Sequence, residues 1–315
     1  MPIKYITEEE ILNSITMKES LKVVEKAFVE YSLGKSKMPS KVYLDLPEFN
    51  GDFRAMPAYE SSQQFAGVKW VNVHANNPKI GLPTVMGTIL LNNPETAEPL
   101  AVVEGTRLTA FRTGAASGVA TKYLSSPTSQ TLALVGSGIQ SFYQAEATLL
   151  IRDIKTIKLF DIRKESMLDL SEKIEASYNV DIVMSNSIED CVNNADIVIT
   201  TTPSKRPILR KEWLKNNVHI NAMGADAKGK RECDDQIILS AQLVIDDFEQ
   251  ASHSGEINVP LSNKLITKKD IKSTLGEIIM GKTIINPEKL TLFDSTGLAI
   301  QDIALAGFVY KKMTR

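Results

Sequence analysis

Between Thr131 and Gln250 the chain keeps repeating one unit: a short run of β-branched and aliphatic residues, a turn, then a polar or helix-forming stretch. The runs are "TLALVG", "IKTIKLFDIR", "VDIVMS", "ADIVITTTPS", "VHINAMGAD" and "AQLVIDDFEQ". Strands separated by helix-forming segments are joined by crossovers, so the pattern predicts an α/β unit with a mainly parallel, doubly wound sheet. In such a sheet ligands lie beyond the carboxyl ends of the strands, where strand order reverses. Those ends carry Gly136 and Gly138, Asp161, Thr201 and Thr202, Gly224 and Asp226, and Asp247. Polar residues therefore gather where a crevice is expected.

The first connection, "VGSGIQS", supplies two of the three glycines of a G-x-G-x-x-G turn, with Ser141 in the third place. Gly136 permits the tight turn, and Gly138 lets the backbone approach a pyrophosphate at the N-terminus of a helix starting near Ile139. Ser141 is small enough to keep helix and strand close. Asp161 follows Ser141 by 20 residues at the end of "IKLFD", where a carboxylate can hold a ribose. A plain βα turn beside a solvated aspartate would share each feature singly; strand, turn, helix and acid in register point to a dinucleotide. Asp161 would repel a 2′-phosphate, which favours NAD over NADP, although Arg163 keeps NADP open.

The first 125 residues have a different rhythm. Helical segments around Glu8 to Ser14 and Met17 to Leu33 precede "KVYLDL", "DFRAMPAY", "FAGVKWVNVH", "TVMGTILLNN" and "PLAVVEG", extended runs with turn signals between them. An antiparallel sheet with helices is the matching class. Alternation in "GVKWVNV" sets Lys69 on the face of Val71 and Val73. A lysine there either snorkels from an edge strand or is a desolvated amine with a lowered pKa. "TRLTAFRTGAASGVATKYL" reads as a helix with a small-residue face of Ala110, Gly114 and Gly118, on which Arg107 and Arg112 could form surface ion pairs.

A length of 315 residues exceeds one ordinary core and predicts two domains. The hydrophobic fraction of 43% and charged fraction of 23% belong to a soluble globular chain. A formal charge of −2 gives no sign of nucleic acid as a partner. No signal peptide or membrane-spanning run is expected, and two thiols, Cys191 and Cys233, suit a reducing cytosol, so a cytoplasmic protein is expected. His74, His219 and His253 form no metal-ligand cluster, and His253 with Glu256 in "HSGE" reads as a local polar contact rather than a metal site.

Taken together, "MPSKVYLDLPE", "GDFRAMPA", "AGVKWVNVHANNPKIGLPTVMGTILLNNPET", "RTGAA", "VGSGIQ", "TTTPSKRPIL", "HINAMGAD", "VIDDFEQASHSGEINV" and "LFDSTGLAIQD" resemble the ornithine cyclodeaminase/μ-crystallin family, most of all its archaeal-type alanine dehydrogenase branch. The resemblance runs from about Lys37 to about Asp302. It implies a Rossmann-type NAD domain, residues 126–293, inserted in an α+β substrate and dimerisation domain, residues 1–125 and 294–315. The returning helix would follow "DSTG", with Asp294, Ser295 and Thr296 as suitable starters. A homodimer through the substrate domains is also implied.

Residue by residue, the resemblance implies that Lys69 and Asp226 are catalytic and that Lys41, Lys69 and Arg112 bind the substrate. It implies cofactor contacts from Arg112, Thr113, Gly136, Ser137, Gly138, Ile139, Gln140, Asp161, Arg163, Thr201, Thr202, Pro203, Met223, Gly224 and Ser295. Many members carry an arginine where this chain has Lys41, and a lysine cannot make a planar bidentate clamp on a carboxylate. The implied activity is an NAD-dependent L-amino-acid dehydrogenase acting on alanine. Ornithine cyclodeamination and reduction of cyclic ketimines such as pyrroline- or piperideine-2-carboxylate use the same groups. A non-catalytic NAD(P)-dependent ligand binder would have no need of the proton-transfer pair Lys69 and Asp226.

Overall fold

The computed structural model of the chain describes residues 2–314. It divides into two units, Met1–Arg112 with Leu298–Arg315, and Thr113–Gly297. The first crossing falls inside a helix rather than at the Ser126 turn, because "GTRLTAFRTGAASGVATKYL" holds no breaker strong enough to interrupt it. The return crossing falls after Gly297 rather than after Phe293.

In the first unit, β1 (Lys4–Ile6) leads into α1 (Glu8–Ser14) and α2 (Met17–Ser32). Both helices start at reciprocal capping boxes, Thr7 with Glu10 and Thr16 with Glu19, each satisfying two otherwise orphaned backbone donors. The strands β2 (Val42–Leu46), β3 (Gly51–Glu60), β4 (Phe65–His74), β5 (Val85–Asn92) and β6 (Pro99–Glu104) follow, then α3 (Gly105–Leu124). The sheet order is β1-β6-β5-β4-β3-β2. Every pairing is antiparallel except that of β1 with β6, and β1 is too short to leave an alternation in the sequence. The C-terminal helix, Ala299–Met313, packs on α2 and on β3, β4 and β5. β4 is an interior strand, and Lys69 sits opposite Met56 of β3 and Ile89 of β5, all three buried. The snorkelling edge lysine is thereby excluded.

The second unit carries β7 (Thr131–Val135), α4 (Ile139–Ile151), β8 (Thr156–Phe160), β9 (Asp181–Met184), β10 (Ile197–Thr200), β11 (His219–Ala222), β12 (Gln242–Ile245), β13 (Ile271–Thr274) and β14 (Thr291–Asp294). Its all-parallel sheet has the order β13-β12-β14-β11-β10-β7-β8-β9, so strand order reverses between β7 and β10. Alternate residues feed two cores: Leu132, Leu134, Ile157 and Ile199 on one face, Ala133, Val135, Val198 and Ile220 on the other. Burial on both faces is what a parallel sheet requires.

The strand β14 corrects one expectation. Asp294, Ser295 and Thr296 do not start the last helix, which begins after Leu298. Asp294 ends β14 between β11 and β12, and the Thr296 and Gly297 N–H groups donate to Asp246 at 2.6 and 3.0 Å. Among the described residues, no helix is long and apolar enough to cross a membrane.

Candidate active site

The glycine turn sits at the carboxyl end of β7, where strand order reverses. Gly136 has φ +101°, and a Cβ there would lie 2.8 Å from the Thr201 hydroxyl, so the position admits only glycine. Gly138 is the N-cap of α4 and faces open space. Ser141 is buried, donates to the Gly136 carbonyl at 2.7 Å and shares a hydrogen bond with Thr201 at 3.0 Å. It thus replaces the third glycine and ties the turn to the loop after β10.

Asp161 closes the turn from the side, accepting from the N–H groups of Ser137 at 2.8 Å and Arg163 at 2.9 Å. The exposed Arg163 guanidinium lies 3.9 Å from the same carboxylate. Within the described residues, the Ser137 hydroxyl and Gln140 side-chain oxygen are buried without a hydrogen-bond partner, while Ile139 is exposed on the first turn of α4. Two orphaned polar atoms beside an open glycine and a helix N-terminus fit a phosphate-bearing ligand.

The loops after β10 and β11 are held by a residue the sequence reading does not single out. The buried Glu232 carboxylate accepts from the Thr200 hydroxyl (2.6 Å), the Thr202 N–H and hydroxyl (both 2.7 Å) and the Gly224 N–H (2.9 Å). A Cβ on Gly224 would fall 2.2 Å from the Thr202 carbonyl, which explains the glycine. Pro203 and Met223 flank these two positions. Ser295, after β14, is buried, and among the described residues its hydroxyl has no hydrogen-bond partner; Thr113 is half-buried on α3. Asp226 lies in the loop after β11, its carboxylate 2.6 Å from the Lys230 amine.

The first unit holds a second cluster. The Lys69 amine is 2.7 Å from one oxygen of Asp302 and 3.5 Å from the Thr109 hydroxyl, and the Arg112 Nε is 3.1 Å from the other Asp302 oxygen. All three charged residues are buried. Arg112 is therefore no surface residue, whereas Arg107 does make an exposed pair with Glu8. Burial pulls the Lys69 pKa down to about 7; Arg112 and, more weakly, Lys41 push the same way, against Asp302. One row along the sheet, the Arg54 guanidinium meets Asp52 through two hydrogen bonds of 2.8 and 3.0 Å.

Asp302 is absent from the sequence-based site, yet a signal for it exists. It is the one acid inside "AIQDIALAGFVY", as Lys69 is the one base in "GVKWVNV", and two opposite buried charges on apolar elements call for each other. Glu232 leaves no such mark, since "KGKRECDD" reads as a solvated charge run.

An alanine dehydrogenase of Archaeoglobus fulgidus is 45% identical over 310 residues, 97% of this chain and 94% of that protein. Among solved structures, an archaeal alanine dehydrogenase dimer with bound NAD superposes with a TM-score of 0.95 at 43% identity, covering 100% of this chain and 97% of that one. The Thermococcus litoralis Delta(1)-pyrroline-2-carboxylate reductase, in complex with NADH and L-proline, superposes at 0.96 with 33% identity, covering 99% and 98%. The family model for ornithine cyclodeaminase/mu-crystallin proteins matches residues 4–315, and the chain belongs to that family.

Proposed function

We propose that the protein is an NAD-dependent L-amino-acid dehydrogenase acting on L-alanine. The observation that carries the reading is the buried Lys69 amine, 2.7 Å from the same Asp302 carboxylate that the Arg112 guanidinium meets at 3.1 Å. In this reading unit Thr113–Gly297 takes the dinucleotide, with its diphosphate at the Gly136–Gly138 turn and its ribose at Asp161. The Ser137 and Gln140 atoms without partners supply polar contacts. Unit Met1–Arg112 with Leu298–Arg315 takes the substrate and forms the dimer.

Bound nicotinamide supplies the acceptor for the hydrogen leaving the substrate Cα. The chain's own residues do the rest. Arg112 and Lys41 bind the substrate carboxylate, Lys41 as a point charge rather than a planar clamp. Asp226 takes protons from the substrate ammonium and then from the water that attacks the imine carbon. Lys69, poised to gain or lose a proton near neutrality, exchanges protons with the developing carbonyl oxygen. The balance is L-alanine, NAD⁺ and water giving pyruvate, ammonium, NADH and one proton.

The outward face of the first sheet carries Val42, Leu44 and Trp70 exposed, with Phe53 stacked on Trp70 at 5.2 Å. We assign it to a second copy of the chain, as the related archaeal enzyme is a dimer. A cytoplasmic site of action suits the two thiols.

Reduction of a cyclic imino acid is the second reading, favoured by the likeness to the pyrroline-2-carboxylate reductase. A panel of alanine, ornithine, lysine, arginine and proline, scored for NADH and for ammonia, with pyrroline-2-carboxylate reduction assayed alongside, separates the cases. Equal yields of both from alanine support dehydrogenation. Ammonia without net NADH from ornithine indicates cyclodeamination, and turnover confined to pyrroline-2-carboxylate indicates the reductase.

A further inference from the structure

We propose that Asp302 is a positioning residue that locks the Lys69 amine and the Arg112 guanidinium into one rigid cluster whose single surplus positive charge is matched to one substrate carboxylate. This rests on the dehydrogenase reading of the site. Each oxygen of Asp302 faces a different cation, Lys69 Nζ at 2.7 Å and Arg112 Nε at 3.1 Å. The carboxylate therefore spans two elements, strand β4 and helix α3, from a third, the C-terminal helix.

Its own position is fixed. Asp302 lies in the first turn of that helix, where the partial positive charge of the N-terminus favours a carboxylate, and Ile300, Gln301 and Ile303 around it are fully buried. A lysine stem left to itself has many rotamers open to it, so an unanchored amine would sample several positions. While Lys69 is protonated, two cations and one anion leave the cluster one positive charge. Without the anion, Lys69 and Arg112 would repel each other in a desolvated site, and the amine would shed its proton.

The groups that face Lys69 can be named by element. Helix α3 presents Arg112 and the Thr109 hydroxyl, the segment before β2 presents Lys41, and the C-terminal helix presents Asp302. The flanking strands β3 and β5 present only the neutral Met56 and Ile89 at that register position. Asp302 is thus the anion that opposes two cations acting on the amine.

The test uses the full-length protein with lysines isotope-labelled at Cε and the Lys69 signal assigned by its loss in Lys69→Met. Asp302→Asn keeps size and one acceptor but removes the charge. The Lys69 titration midpoint should move down from about 7 by about one unit or more. The pH profile of alanine oxidation should shift the same way, with the affinity for NADH unchanged. Arg112→Met is the opposite control, and there the midpoint should rise. If the Asn variant does not fold, the Arg112→Met shift decides.

An unmoved midpoint in the Asn variant, or in Arg112→Met alone if that is the only folded variant, overturns the proposal. So does a loss of turnover without a shift of the profile. Should the wild-type protein turn over no amino or imino acid, the functional reading falls, while the Lys69 midpoint still judges the role of Asp302.

Discussion

Replacing Lys69 by methionine keeps the apolar stem and removes the charge, and it should separate activity from stability. Folding lowers the amine pKa from 10.5 to about 7. At about 1.36 kcal/mol per unit, holding the charged form in the folded protein costs on the order of 5 kcal/mol below neutrality. The folded state binds this proton more weakly than the unfolded chain. Stability therefore rises with pH between about 7 and 10.5, and the full penalty applies below that window. By linkage the penalty is about 4 kcal/mol at neutrality and about 2 kcal/mol two pH units higher.

These figures are already net of the attraction to Asp302, and Arg112 remains beside that carboxylate in the variant. Lys69→Met should therefore be more stable than the wild type near neutrality by up to a few kcal/mol. Domains of 150–250 residues gain roughly 2–4 °C per kcal/mol, so the thermal midpoint should rise by several degrees. The advantage should shrink as the pH is raised. Turnover should fall by about 10²–10⁴, the usual loss of an acid–base group. Thermal denaturation across the pH window, paired with initial rates of NADH formation, reads both effects. A variant that melts earlier than wild type at neutral pH, or that keeps turnover within about tenfold, refutes the reasoning.

Asp161→Ala removes a ribose acceptor and a charge hostile to a 2′-phosphate, so paired fluorescence titrations should show NADH binding weakened more than NADPH binding; an unchanged preference removes Asp161 from the ribose site. Asp226→Asn keeps the size and should lower turnover by about 10²–10⁴ while NADH binding stays near wild type; near-normal turnover would leave Asp226 as a structural partner of Lys230. Trp70→Asp places a charge on the apolar sheet face and should yield a folded monomer in sedimentation experiments, and a dimer that persists rules out that face.

The features most legible in the sequence are those with short range. The strands from β7 to β12 and the glycine turn each declare themselves within a short stretch of chain. Ser141 is read correctly as a tolerable substitute, but its hydroxyl bridge to Thr201 depends on a strand 60 residues away. The strand β14 is hidden because "TLFD" is short and runs into "DSTG", whose residues also favour helix starts. Only the parallel pairing with β11 and β12 decides between the two.

Lys69 illustrates the limit in another way. Alternation fixes the face it occupies, but whether its strand is an edge or interior depends on β3 and β5 pairing on either side. Asp302 is 190 positions from Arg112, and no local pattern can announce that meeting. What the sequence does offer is a pair of unbalanced charges on apolar elements, each costly alone. Glu232 offers less, because its role comes from loops that converge only in the folded sheet.

The most direct measurement runs the reaction backward. Pyruvate, heavy-nitrogen ammonium and NADH are supplied to the wild-type protein, and the products are read by mass spectrometry and chiral chromatography. L-alanine carrying the heavy nitrogen, formed in step with NADH loss, is the predicted result. No labelled alanine from a preparation that consumes NADH with pyrroline-2-carboxylate would contradict it.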